Sequence, residues 1–316
     1  MKRVVVTGGT GFIGANLVRR LLGEGHSVHL FLRPESPRWR VQGLSSTLQF
    51  HEVSLEEKSS LLECIKSIHP DWIFHLATYG GSSWQTEQEK IVRTNLLGTM
   101  NLLDSCMEIG FEAFINTGSS SEYGFKNYPP KETDLLEPNS CYAITKAGAT
   151  QYCQHIGKTC GAHIVTLRLY SAFGPFEQPK RLVPTLILRG LEGKFPPFTA
   201  PEVARDFVYI EDVIDAFLLS AKAQGIEPGG IFNIGSGIQT TMKEVAAVAK
   251  KVFAIPHEPS WNTMKSRNWD TGTWVSDNQK AREILKWSPV ISFENGLKQM
   301  VAWFKENPNL RAEYNF

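Results

Sequence analysis

Thr7-Gly8-Gly9-Thr10-Gly11-Phe12-Ile13-Gly14 directly follows the apolar run Val4-Val5-Val6, and a helical pattern follows it at Asn16–Leu22, with Leu17, Val18, Leu21 and Leu22 on one side. Strand, glycine-rich turn and helix in that order suit a dinucleotide. The glycines permit a tight turn, a close approach of backbone to pyrophosphate, and tight packing of helix on strand. The helix N-terminus adds free N–H groups and the positive end of its dipole. Gly23 and Gly25 end the helix.

The pattern continues outward from this unit. Val28–Leu32, Trp72–Leu76 and Ala113–Thr117 read as buried strands, and Ser59–Ile68 and Asn95–Ile109 as amphipathic helices. Apolar runs alternating with helices predict an α/β fold, a Rossmann-type doubly wound parallel sheet. After Ser171 the character changes, with Gly174-Pro175, Pro179, Pro184, Pro196-Pro197 and Pro201 punctuating the chain. Residues 1–171 are therefore expected to form the dinucleotide-binding domain and 172–316 mainly a smaller, loop-rich C-terminal substrate-binding region. Val213–Ala221 and Gly230–Ile234 are expected to return to the first domain, which places segments near 205–235 there.

Composition narrows the partners. Thirty-three Lys and Arg oppose 32 Asp and Glu in 316 residues, a net charge of +1. Nothing in that balance calls for nucleic acid or an anionic membrane, so an anionic ligand needs a local site. Cys64, Cys106, Cys141, Cys153 and Cys160 are widely spaced without a C-x-x-C, which argues against a disulfide framework or a metal cluster and for a reducing compartment. No run approaches the roughly 18 apolar residues of a membrane span. The expectation is a soluble, cytoplasmic protein without a metal.

The cofactor should be read at the end of the second strand, where an acid suits the ribose of NAD and an arginine the 2′-phosphate of NADP. The strand ends Phe31-Leu32-Arg33, with Arg38 and Arg40 beyond and no acid before Glu35. NADP(H) is favoured, with NAD(H) the alternative if Arg33 is only a solvated loop charge. Downstream, Tyr142-Ala143-Ile144-Thr145-Lys146 places a phenol and an ammonium one helical turn apart. A nearby cation favours the phenolate, making Tyr142 a candidate acid–base group. Ser119-Ser120-Ser121, just after a strand, supplies a hydroxyl for the same substrate oxygen.

With these motifs the chain resembles the extended short-chain dehydrogenase/reductases of the NAD-dependent epimerase/dehydratase family, which mostly modify nucleotide-activated sugars. The resemblance runs over nearly the whole length. It includes His75-Leu76-Ala77, Asn95-Leu96-Leu97-Gly98-Thr99, Arg168-Leu169-Tyr170, Gly174-Pro175, Arg205-Asp206-Phe207-Val208-Tyr209 and Phe232-Asn233-Ile234-Gly235. It implies that Tyr142 is the catalytic acid/base and that Lys146 binds the nicotinamide ribose and tunes Tyr142. Ser119, four residues before Tyr123, matches the substrate-orienting Ser/Thr, with Ser120 the one-residue alternative. Gly8, Gly11, Phe12, Ile13 and Gly14 would line the pyrophosphate, with Leu76, Ala77 and Asn95 along the cofactor. Arg205 would grip the substrate diphosphate, and Ser171 stands where the family places a phosphate-binding Asn. A homodimer through two helices is implied in the same way.

Departures narrow the activity. Family dehydratases carry an acid beside the catalytic Ser/Thr; here Glu122 sits one position off, before Tyr123, so dehydration is demoted unless a loop shift restores it. Ser54 replaces the usual Asp near the adenine. The leading expectation is NADPH-dependent reduction of a 4-keto nucleotide sugar, because Arg33 favours NADP. The alternative is a nucleotide-sugar 4-epimerase that retains its cofactor; a 4,6-dehydratase or a non-catalytic NADP-binding regulator ranks lower. Trp261, Trp269, Trp274 and Arg267 either line a sugar or base pocket or are core and interface residues, and the sequence leaves both open.

Overall fold

The computed structural model describes residues 1–44, 46–82, 84–265 and 270–314. Val4 and Val6 point to one face of the first strand, β1 (Arg3–Thr7), and Val5 to the other, and all three are buried. A strand without a polar face belongs inside a sheet covered on both sides. That sheet has seven parallel strands in the order β10-β6-β5-β4-β1-β2-β3, comprising β2 (Ser27–Leu32), β3 (Gln49–Glu52), β4 (Trp72–His75), β5 (Ala113–Ser119), β6 (Ile164–Leu169) and β10 (Gly230–Ile234). The expected return of Gly230–Ile234 takes the form of β10 pairing in register with β6.

The alternation of side chains builds two cores. Val4, Val6, Phe74 and Ile115 pack beneath α1 (Phe12–Gly23) and α7 (Ile210–Lys222). Val5, Ile73 and Phe114 pack on the other face beneath α2 (Lys58–Ile68), α4 (Gly98–Ile109) and α5 (Cys141–Cys160). Strand order reverses beside β1, which has β2 on one side and β4 on the other. In open parallel sheets the ligand crevice lies outside the C-terminal strand ends at such a switch point.

Several boundaries differ from the sequence reading. α1 begins at Phe12, a turn before Asn16, because Gly11 in extended backbone serves as its N-cap. The stretch expected as one helix from Asn95 follows a short α3 (Gln88–Val92) and opens with a wide π turn at Arg93–Leu97. The C-terminal region is more helical than its prolines suggested. Pro184 lies in the first turn of α6 (Leu182–Leu191), where a missing N–H is tolerated. α8 (Met242–Phe253) and α9 (Phe293–Glu306) follow, with β7 (Ser171–Phe173) pairing parallel to β9 (Phe207–Tyr209), and β8 (Ala204–Arg205) antiparallel to β11 (Thr240–Thr241). Among the described residues no helix is long and apolar enough to cross a membrane, and all five cysteines are free.

Candidate active site

The glycine loop is shaped by contact. Gly8 has a φ of +68°, and a Cβ there would lie 2.6 Å from the carbonyl carbon of Leu76 and 2.7 Å from the Ala77 nitrogen. A Cβ on Gly14 would stand 2.3 Å from the Gly8 carbonyl oxygen, so the loop and the first turn of α1 close only around glycine. Gly11 N–H donates to the Gly8 carbonyl at 3.0 Å. α1 has no side-chain cap and no acid in its first turn, leaving the backbone donors of Phe12, Ile13 and Gly14 facing the crevice with the positive end of the helix dipole. Leu76 and Ala77 meet this loop across the switch point.

A hydrogen-bonded relay fixes that meeting. The N–H groups of Leu76 and Ala77 donate to Thr7 Oγ1 at 3.2 and 3.1 Å. Thr7 Oγ1 lies 2.7 Å from His75 Nδ1, and His75 Nε2 lies 2.8 Å from Thr99 Oγ1, which donates to the Asn95 carbonyl. The Thr99 hydroxyl has given its proton away, so Nε2 is the donor, Nδ1 accepts, and the imidazole is neutral. Burial and the nearby Lys146 push its pKa down to about 3. His75 is thus a structural splice between two strand ends.

The catalytic candidates meet at the ends of β4 and β5. Ser119 closes β5 and caps the following 3₁₀ turn, its Oγ accepting from the Ser121 N–H at 3.2 Å. The proton of that hydroxyl is then free to point at Tyr142, whose phenol Ser119 and Thr78 influence from nearby. Gly80 and Gly81 pass against the Tyr142 ring. Lys146 follows one turn along α5 and is buried. Its pKa is pushed down to about 8 by burial, with Glu122 acting in the opposite sense.

The electrostatics depart from the expectation for Tyr142. Burial raises its pKa, and the groups that oppose the rise are Ser119, Thr78 and Arg181. Desolvation outweighs the opposing charge of Arg181, and Glu122 adds to the rise.

Glu122, read from the sequence as a displaced dehydratase acid, has another place. It is fully buried, accepting from the Ser119 N–H at 2.8 Å, Thr150 Oγ1 of α5 at 2.9 Å and Arg168 Nε of β6 at 2.8 Å. Arg168 also donates to the Tyr123 hydroxyl at 2.8 Å, and Tyr123 to Asn233 Oδ1 of β10 at 2.8 Å. A carboxylate held on both oxygens is not a free acid, and nothing shifts the turn to release it. The sequence signal was Arg168 inside an apolar strand, since a buried guanidinium requires a carboxylate.

Asn95, expected beside the cofactor, is buried with its amide fully committed. It accepts from Thr78 Oγ1 and the Tyr79 N–H and donates to the Tyr79 carbonyl and Thr145 Oγ1. It clamps the loop after β4 to α5 beside Tyr142, and the π turn carries it inward.

Arg33 is exposed and its Nε lies 3.2 Å from Glu35. Arg38 pairs with Glu52 at 2.7 Å, and Arg40 is buried against the Phe176 carbonyl and Gln178. Ser54, at the adenine position, accepts from the Glu56 N–H.

On the substrate side, Arg205 Nη2 donates to Asp270 at 2.8 Å and its guanidinium stacks over Trp274 at 5.8 Å. Its sequence neighbour Asp206 faces the opposite way, accepting from Ser236, Gly237 and Ser276. Ser171 joins this wall through its N–H to the Asp206 carbonyl. Trp261 stacks on Phe198 in the core, whereas Trp274 meets Tyr170 edge to face at 6.5 Å. Arg267 and Trp269 lie outside the described residues. A cleft of about 560 Å³ opens between the Phe125–Tyr128 loop and Thr271–Thr273. Behind it a small cavity of about 10 Å³ is lined by Ser120, Tyr123, Tyr170 and Trp274. Tyr170, read from the sequence only as part of a motif, is buried, and among the described residues its hydroxyl has no hydrogen-bond partner.

Known proteins are similar to this chain over nearly its whole length. The chain is 28% identical to the UDP-glucose 4-epimerase of Mycolicibacterium smegmatis, over 96% of this chain and 98% of that protein. It is 26% identical to a trifunctional UDP-glucose 4,6-dehydratase/3,5-epimerase/reductase of Arabidopsis thaliana, spanning 97% of this chain but only 47% of that longer protein. The crystal structure of the UDP-glucuronic acid 4-epimerase from Bacillus cereus, in complex with UDP-glucuronic acid and NAD, superposes with a TM-score of 0.84 at 28% identity over 96% of this chain and 99% of that one. The NAD dependent epimerase/dehydratase family matches residues 4–235. With its glycine loop at the switch point, the chain is an enzyme of that family.

Proposed function

We propose that the protein is a nucleotide-sugar 4-epimerase that keeps NAD(H) bound through its catalytic cycle. The observation that carries this reading is the proximity of Ser119 to Tyr142 at the switch point, where the nearby carboxylate, Glu122, is held by Arg168. An acid–base couple without a second acid suits hydride exchange at one carbon and disfavours loss of water.

NAD would lie along the glycine loop, with its pyrophosphate on the donors of Phe12, Ile13 and Gly14, and when bound it supplies reversible hydride acceptance at the sugar carbon. Tyr142, as the phenolate, takes the proton from the sugar 4-hydroxyl and, as the phenol, later returns it. Ser119 holds the same oxygen through its free hydroxyl proton. Lys146 faces the nicotinamide ribose, and Arg205 grips the diphosphate with a planar guanidinium. The region after Ser171 closes the sugar pocket. The reductase reading rested on Arg33, which is paired with Glu35. Intact Tyr142, Lys146 and Ser119 argue against a non-catalytic regulator. Exposed Leu97 and Ile144, on the π turn and α5, suit a homodimer face, and the free cysteines suit the cytoplasm.

The test is interconversion of UDP-glucose and UDP-galactose without added coenzyme. Turnover is expected, with Tyr142→Phe reducing it by about 10² to 10⁴-fold. Strict dependence on added NADPH with a 4-keto sugar would instead establish the reductase.

A further inference from the structure

Arg40 belongs to the basic stretch after β2, yet it is only 6% exposed and reaches a loop 136 residues further along the chain. Its Nε donates to the Phe176 carbonyl at 2.8 Å and its Nη2 to Gln178 Oε1 at 3.0 Å. Both acceptors are neutral, and among the described residues no carboxylate forms an ion pair with it. Burial pushes its pKa down to about 10, with Tyr314 and Glu313 opposing the fall. A buried cation held by neutral groups is costly, so stability alone does not account for it.

The loop it holds is strained. Phe176 has a φ of +68°, a left-handed backbone that a bulky residue adopts only where its surroundings impose it. Those surroundings are the Arg19 guanidinium of α1, 4.0 Å over the ring, Trp303 of α9 at 4.9 Å and Trp39 at 6.2 Å. Arg40 itself stacks over Trp39 at 4.2 Å, and Arg19 donates to the Arg40 carbonyl. One residue before Phe176, the Pro175 carbonyl accepts from Asn16 Nδ2 at 2.9 Å, and the same amide donates to the carbonyl of Phe12, the first residue of α1. The loop after β7 is thereby seated on the helix end that would hold the cofactor pyrophosphate. Arg40 ties it to the segment leaving β2, where folds of this type place the adenosine ribose.

We propose that Arg40 is a positioning residue whose two hydrogen bonds keep the 174–178 loop closed on α1, so that bound NAD(H) leaves only when this loop opens. The inference rests on the proposed retained-cofactor reading and names what retains it. The strain at Phe176 favours opening and Arg40 opposes it. Losing its donors raises the open population, and exit of the dinucleotide accelerates by the same factor.

The experiment desalts the freshly purified protein, measures its NAD(H) content, and follows replacement of the bound nucleotide by radiolabelled NAD, for the wild type, Arg40→Met and Gln178→Ala. Tm is measured alongside. Arg40→Met removes the donors and the buried charge together, so its Tm should stay within about 5 °C of the wild type's, while replacement accelerates roughly 10- to 100-fold. Gln178→Ala removes one acceptor and should accelerate it about 3- to 10-fold; this variant decides the matter if Arg40→Met does not fold. Replacement within about twofold of the wild-type rate in the folded variants overturns the inference. So does acceleration that appears only with a matching loss of Tm, the mark of general loosening. Wild-type protein that arrives without nucleotide overturns the retained-cofactor reading, and this inference with it.

Discussion

Glu122 and Asp206 are both fully buried carboxylates, one behind Ser119, the proposed substrate-orienting hydroxyl, and the other beside Arg205, the proposed diphosphate grip, and they are stabilised by opposite means. Glu122 has a guanidinium partner and joins residues far apart in sequence, reaching β6 through Arg168 and α5 through Thr150. Among the described residues, Asp206 has no cation as a hydrogen-bond partner. Its oxygens accept from the N–H and hydroxyl of Ser236, the N–H of Gly237, and the N–H and hydroxyl of Ser276, at 2.6–3.1 Å. A charge pair couples strands and fixes the chemistry; a cradle of dipoles folds two loops around one point. Removing the charge of either tells them apart, because only one leaves a buried cation behind.

The largest expected effect follows directly. Glu122→Gln strands Arg168 in the core and should cost about 3–5 kcal/mol in urea unfolding. Asp206→Asn loses charge-assisted hydrogen bonds without orphaning a cation and should cost about 1.5–3 kcal/mol. Reversal of that order would break the comparison. Kinetics sharpen it, since Asp206→Asn should raise KM for the nucleotide sugar with little change in kcat, whereas Glu122→Gln should lower kcat. Equal KM effects would mean both act only on folding.

Glu177 provides a third, less satisfied case. It is buried with one oxygen unpartnered and Arg181 3.4 Å away, and burial pushes its pKa from 4.5 up to about 8. A carboxyl with a raised folded-state pKa binds more protons folded than unfolded, so its contribution is full below pH 4.5 and is lost as pH rises through about 8. Glu177→Gln removes that dependence. The variant's Tm should fall less than the wild type's between pH 5.5 and 8, by about 2–5 °C. Parallel melting curves would show that the carboxyl is not a destabilising charge.

The smallest effect concerns Arg33. Because it pairs with Glu35 at the surface, Arg33→Ala should change NADH and NADPH affinities by less than about threefold each, as fluorescence titration would show. A selective loss of NADPH would return the cofactor choice to the arginine.

Legibility divided along similar lines. The glycine loop was readable because Gly8, Gly11 and Gly14 act on their immediate neighbours, and β1 because its valines alternate between two cores. The return of Gly230–Ile234 to the sheet was visible in its apolar run. The sequence put Glu122 one position off the dehydratase acid, but its burial on Arg168 was not visible there because that partner is 46 residues away. Arg33 was given weight that only its neighbour Glu35 could cancel. Asn95 lies near the cofactor loop, yet its amide faces Thr78, Tyr79 and Thr145, an orientation set by a π turn with no sequence signature. The Tyr142 pKa ran against the i,i+4 spacing because burial, which spacing does not encode, is the stronger influence.

The most direct test of the central claim is to release and quantify the nucleotide carried by the freshly purified protein. A retained-cofactor epimerase predicts NAD(H), close to one per chain, without exchange against added NADPH. Protein that arrives empty and binds NADPH far more tightly than NADH would contradict it.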